Sequence, residues 1–337
     1  MIIIRYLNFK NFNIFFSGIC LLFAQYCYSA HFNDAKTSYI FAPGLHSYET
    51  QLARYTPQFT AITGEEVSSP KGIHAINQPV TICKFPEIKL QSTKKMFLNP
   101  IDWITSAIMT LRNVKCGVQI TDSKLGSKYK INGHASDISK INLGQEADIK
   151  ALTETYNKHI ALYPNTDIIL FGTSRGAATT FNAMAQKAFP QIKMIVLEGI
   201  FDSISHLLRH KYKTTHNFVQ AIIARFTSYK PEGISPQSLV TNYPKDLPTL
   251  IVSSKKDELV PYCCTEKLYA ALKDAGYSKV HFLILENAGH AGYSCDNQQD
   301  KDLYESVLHA FYKHYNQSHD QELAQAGALV WQKILAC

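Results

Sequence analysis

The chain has 337 residues, of which 46% are hydrophobic and 18% charged, an ordinary globular balance with enough apolar content for one large core. Its 34 basic and 27 acidic residues leave a mild net charge of +7, and no run of Lys and Arg interleaved with aromatics marks a nucleic-acid surface. No phosphate loop or dinucleotide glycine motif is present, so nucleotide chemistry is not expected.

Residues 1–30 read as a signal peptide. Arg5 and Lys10, with no acid nearby, precede an apolar run from Asn13 to Ala24, and Ser29 and Ala30 offer small residues for cleavage. The run is shorter than the roughly 18–20 residues of a membrane span, and Gln25 interrupts it. The expected product is a secreted or periplasmic chain, residues 31–337, forming one domain with no stable membrane span.

The first core strand is predicted over 38–43, followed by the loop Pro43-Gly44-Leu45-His46 and a helix near 48–55. A second strand is predicted over 79–84. Residues 85–143 exceed what a core needs: an apolar patch predicts a helix over 101–112, and the polar stretch after it reads as an exposed loop or small hairpin. A helix over 144–162 leads to a strand over 167–171.

Gly172-Thr173-Ser174-Arg175-Gly176 follows that strand and precedes a small-residue, helix-competent run predicted over 175–188. Strand, sharp turn and helix are the context that gives G-x-S-x-G meaning as a nucleophile elbow, because the turn exposes the serine hydroxyl and the helix start offers amides to an oxyanion. A serine also needs a base, and the base an orienting carboxylate. A strand over 192–197 leads to Asp202. Within 203–247, Ile204, Leu207, Leu208, Phe218, Val219, Ile222, Ile223 and Phe226 recur at helical spacing, predicting two short helices packed on the core. A strand over 248–254 then leads to Asp257, and a helix over 265–275 follows. A last strand over 280–285 leads to His290. Each polar residue follows the carboxyl end of an apolar strand, where open α/β sheets carry their sites. Helices over 301–315 and in the tail after Ser318 complete the pattern. Strands alternating with helices predict an α/β fold, a mostly parallel sheet of about six strands with helices on both faces.

With its elbow, the D-x-x-V-P stretch from Asp257 to Pro261 and the A-G-H at 288–290, the chain resembles the α/β-hydrolase superfamily over most of residues 38–316. The resemblance implies Ser174 as nucleophile, His290 as general base and acid, and Asp257 as orienting acid; Asp202 sits where some members carry the acid instead. It implies an oxyanion hole from the backbone N–H groups of Arg175 and of Leu45, the latter in a loop similar to the family's His-Gly-x loop with Pro43 in the histidine's place. It also makes 203–247 a lid, with Trp103 and Phe226 as pocket walls. The Arg175 side chain is left with two readings, contact with an acidic substrate group or a surface cap.

Six of the eight cysteines remain after signal removal: Cys83, Cys116, Cys263, Cys264, Cys295 and Cys337. An even number in an exported chain suggests disulfides, and the touching of acid and histidine loops that the triad requires pairs Cys263 or Cys264 with Cys295. Cys83 and Cys337 can equally be free thiols. No zinc spacing such as C-x-x-C is present, and neither a metal nor another cofactor is expected. The sequence reading is an exported serine hydrolase for small-molecule or lipid-like carboxylic esters. The alternatives are a serine peptidase or lipase on the same scaffold, and more remotely a binding protein.

Overall fold

Six apolar runs pair into one sheet. The computed structural model describes residues 37–44, 80–83, 90–92, 129–131, 142–290, 292–293, 296–317 and 319–336. The signal-peptide stretch, the helices expected at 48–55 and 101–112, Leu45, His46, Trp103, Cys116, Cys295 and Cys337 lie outside them. The strands are β1 (Thr37–Ala42), β2 (Val80–Ile82), β5 (Asp167–Thr173), β6 (Ile192–Glu198), β7 (Thr249–Ser254) and β8 (Val280–Leu285). They pair in the order β2-β1-β5-β6-β7-β8, every neighbour parallel. β3 (Leu90–Ser92) and β4 (Tyr129–Ile131) form a separate antiparallel pair. β4 lies in the polar stretch read as a loop or hairpin; β3, three residues long, carries no pattern of its own.

Continuous burial explains why the strands read as unbroken Val, Ile and Leu runs rather than alternating ones. Ile40, Ile168, Leu170, Ile195, Leu197 and Ile251 face one side of the sheet, where they meet Ile149 and Leu152 of α1 (Glu146–Leu162), Phe181 of α2 (Arg175–Gln186) and Leu268 of α5 (Tyr262–Asp274). Their chain neighbours Tyr39, Ile169, Phe171, Met194, Val196 and Leu250 face the other side. There they pack on Tyr304, Val307 and Phe311 of α6 (Gln298–His314) and Trp331 of α7 (Gln321–Leu335). The side-chain period of two thus places helices on both faces.

The insertion forms α3 (Ile204–Tyr212) and α4 (His216–Phe226), joined by a single 3₁₀ turn. Ile204, Leu208, Val219 and Ile223 are buried against Phe201, Ala178 and Val260. Phe218 departs from the predicted inward row and is 70% exposed. It lies one position before Val219, about 100° around the helix, so it cannot share the buried face.

Chain direction reverses at the centre of the sheet. From β1 the chain moves outward to β2, then returns to β5 on the other side of β1 and continues to β8. The carboxyl ends of β1 and β5 flank this switch point, the place where open α/β sheets leave a crevice.

Candidate active site

Ser174 sits at the carboxyl end of β5 as the residue before α2, with φ 55° and ψ −115°. A left-handed backbone at a non-glycine residue costs about 1–3 kcal/mol and persists only where its surroundings dictate it. Here they do. Its N–H donates to the Glu198 carbonyl at the end of β6 (2.7 Å) and its carbonyl accepts from Ala178 in the first turn of α2 (3.1 Å). The flanking glycines allow the tight crossing. A Cβ on Gly176 would overlap the carbonyl oxygen of Ala42 at the end of β1, and one on Gly172 would lie 2.7 Å from the Ala177 Cα. Both positions exclude a side chain.

Asp257 follows β7 and is almost completely buried. Its Oδ1 accepts the backbone N–H groups of Leu259 (2.9 Å) and Val260 (2.8 Å), so the D-x-x-V spacing is an Asx turn that fixes the carboxylate. Its Oδ2 accepts from His290 Nδ1 and from the Tyr293 hydroxyl, each at 2.7 Å. A carboxylate cannot donate, so Nδ1 carries the proton and Nε2 is left as the basic nitrogen. Burial alone would raise the Asp257 pKa. The facing imidazole, its hydrogen bond, the tyrosine hydroxyl and the Val260 amide outweigh burial and hold it below its ordinary value.

The His290 ring lies against Gly199: a Cβ there would be 3.1 Å from its Cε1. Gly199 is the next residue after Glu198, whose carbonyl anchors the Ser174 amide. Serine and imidazole therefore border the same peptide at the end of β6. The histidine loop is held from α6 by Asp300, whose Oδ2 accepts the amides of Asn287 and Ala288 (2.6 Å each). Asp202, the other acid weighed in the sequence, is engaged elsewhere: with His206 Nδ1 at 2.9 Å and Lys267 Nζ at 3.2 Å.

Arg175 requires a correction. Its side chain neither faces a substrate nor caps a surface. It is 1% exposed, and its Nε donates to Asp148 Oδ2 on α1 at 2.7 Å while its second nitrogen reaches Asp148 Oδ1. Asp148 also accepts the Gly144 amide at 2.8 Å. The guanidinium thereby ties the first residue of α2 to α1. Its backbone N–H stays in the first helical turn, where no carbonyl of the helix itself can accept.

The disulfide staple also requires correction. Cys263 and Cys264 both carry free thiols, and so does buried Cys83. Cys264 is packed in the cluster under α3, and Cys263 Sγ lies 3.4 Å from His210 Nδ1 of α3. The first turn of α5 turns both sulfurs toward α3. Cys295, their expected partner, lies outside the described residues.

Tyr293, Asp300 and Asp148 escaped the sequence reading. Tyr293 stands three residues past His290, a spacing that could have drawn notice; Asp300 and Asp148 carry no motif that sets them apart from other acids. The Tyr293 contact has a measurable signature. A hydrogen bond to a charged group contributes about 1.5–3 kcal/mol. Because the Asp257 pKa is lowered on folding, that stability is present above the unfolded-state value of about 3.9 and lost as pH falls through the folded value. Tyr293→Phe is expected to unfold at lower denaturant near neutral pH, with the gap closing in acid below the ordinary Asp range. A gap independent of pH would contradict the assignment.

Residues 141–318, more than half of the chain and including Ser174, Asp257 and His290, match the prolyl oligopeptidase family. The chain belongs to that family, and so to the serine hydrolases of α/β-hydrolase fold. Among curated proteins it is similar to protein bem46 of Schizosaccharomyces pombe, 31% identical over 119 residues. That match covers 34% of this chain and 37% of that relative, so the chain spans little more than a third of its length. Among solved structures it is similar to the acylaminoacyl peptidase of Pyrococcus horikoshii (TM-score 0.43, 15% identity, 55% of this chain and 30% of that one). It is also similar to the esterase Pf2001 of Pyrococcus furiosus (TM-score 0.38, 17% identity, 51% of this chain and 62% of that one). Among the described residues, no helix of this family member is long and apolar enough to cross a membrane.

Proposed function

We propose that the protein is an exported serine hydrolase that cleaves carboxylic esters through an acyl-enzyme on Ser174. The observation that carries this reading is the 2.7 Å contact of His290 Nδ1 with Asp257, made beside the peptide that anchors the Ser174 elbow. Ser174 Oγ attacks the carbonyl carbon while His290 Nε2 takes its proton. The negative oxygen is received by the N–H of Arg175, at the positive end of α2, and by that of Leu45 in the loop after β1. Collapse breaks the acyl–oxygen bond, and His290 returns the proton to the leaving alcohol. Water, deprotonated by the same imidazole, then releases the acid. Asp257 keeps the imidazole in the tautomer this requires.

The family match supports a second reading, a peptidase with the same triad. The ester reading is supported by the insertion 203–247, in which no pair of acids stands out to receive a peptide terminus. A peptide terminus would need a fixed charge to receive it, and the buried acid nearest this insertion, Asp202, is already paired.

The distinguishing experiment uses residues 31–337 with acyl esters of increasing chain length and matched aminoacyl and N-blocked peptide amides. Turnover of the acyl esters with no measurable hydrolysis of the matched peptide amides supports the esterase, because a serine peptidase cleaves both. Hydrolysis of the peptide amides establishes the peptidase. Export is tested by following processing of the full chain in a secreting host, where retention of residues 1–30 on cell-associated protein would refute it.

A further inference from the structure

Three side chains from separate elements, spread over 62 positions of sequence from Asp202 to Cys264, converge. Asp202 lies in the turn after β6, His206 on α3 and Cys264 in the first turn of α5. One donor atom from each, a carboxylate oxygen, an imidazole nitrogen and the sulfur, lies within 4.8 Å of the other two. Asp202 and Cys264 are fully buried, and the imidazole is 27% exposed. None of the three belongs to the Ser174 site.

The usual interactions between these groups do not account for the set. Asp202 and His206 make an ordinary ion pair or hydrogen bond at 2.9 Å. The thiol adds little to it, since S–H is a weak donor and a buried carboxylate has no use for an apolar neighbour. A cation between the three turns each contact favourable. Tetrahedral zinc with sulfur at about 2.3 Å and nitrogen or oxygen near 2.0–2.2 Å separates its ligands by about 3.3–3.6 Å, so the set needs to adjust by only about an ångström to close.

We propose that Asp202, His206 and Cys264 form a binding site for a borderline-soft divalent cation of the zinc class. The mixed oxygen, nitrogen and sulfur set disfavours magnesium and calcium, which take oxygen ligands. Binding releases the Cys264 thiol proton, and the fourth position goes to water or to the neighbouring Cys263 thiol, which lies 3.4 Å from His210 one turn further along α3. Lys267 Nζ, 3.2 Å from Asp202 Oδ2, stands in for the cation's charge; being half exposed, it can move into solvent when a metal enters. The metal would clamp α3 to α5. Because α5 begins two residues after Val260, whose amide holds Asp257, the clamp would also brace the acid loop.

The test uses the full mature chain, reduced and stripped with chelator, titrated with Zn²⁺ by calorimetry and with Co²⁺ by absorption. The expected result is saturation near one equivalent, a sulfur-to-cobalt charge-transfer band, and a thermal transition raised by Zn²⁺. Cys264→Ala should weaken binding by at least tenfold, and Cys264→Ala combined with Cys263→Ala should remove the charge-transfer band. His206→Ala, at a partly exposed position that carries no fold risk comparable to Cys264, should weaken it similarly. Lys267→Met should bind as tightly or more tightly. Absence of saturable binding overturns the proposal, as does a cobalt spectrum without sulfur ligation or binding unchanged in the His206 and Cys264 variants. Any of these failures leaves ester turnover by the Ser174 site untouched, so the two readings fall separately.

Discussion

Ser174→Ala is expected to abolish fluorophosphonate labelling and to lower hydrolytic turnover by several orders of magnitude, on the order of 10⁶ in kcat if the triad acts as a unit. The reasoning is geometric. The hydroxyl stands on a left-handed backbone held by the Glu198 carbonyl, and the imidazole borders the same peptide. Alanine at this position removes the oxygen without adding volume, and the backbone strain is carried by the same hydrogen bonds. Folding should be unchanged by circular dichroism. His290→Ala should match the serine variant rather than add to it, because a nucleophile without its base and a base without its nucleophile fail at the same step. A folded Ser174→Ala protein that keeps the wild-type rate would remove Ser174 from the mechanism.

The largest effect on stability is expected at Asp148. Its carboxylate and the Arg175 guanidinium are 0% and 1% exposed. Taking both out of water is costly, and what their attraction returns depends on both being present. Asp148→Ala leaves a buried guanidinium without its counter-charge and the Gly144 amide without its acceptor, so a loss of about 3–5 kcal/mol is expected in chemical denaturation. The double variant Asp148→Leu with Arg175→Met removes both charges and should recover most of that loss. Its activity should not recover equally, since the Arg175 side chain no longer anchors the residue proposed to donate to the oxyanion. Equal recovery of stability and activity would reduce the pair to a packing element.

Much of the site was legible because catalysis and folding leave the same kind of trace. Ser174, Asp257 and His290 each follow a largely buried strand, and a buried parallel strand reads as a mostly apolar run. The turn residues at its end therefore stand out. The glycines of the elbow were legible for a related reason, since the close approach of Gly176 to Ala42 leaves no room for any other residue. What a charged residue on a helix does was not legible. Arg175 and Asp148 are 27 positions apart and carry no pattern that distinguishes a buried pair from two solvated charges. The cysteines misled for the same reason: spacing and parity count sulfurs, while direction depends on how the first turn of α5 faces α3.

The order of strands and helices, the α/β class and the three residues after β5, β7 and β8 were determined by the amino-acid sequence alone, through hydrophobic period and turn chemistry, which are local. The tertiary structure decided which acid meets His290, how Arg175 is neutralised, and that Asp202, His206 and Cys264 meet at all. Those are contacts across tens of residues. They depend on the crossing of β6, α3, α5 and the acid loop, and no local preference along the chain encodes where two distant side chains will point.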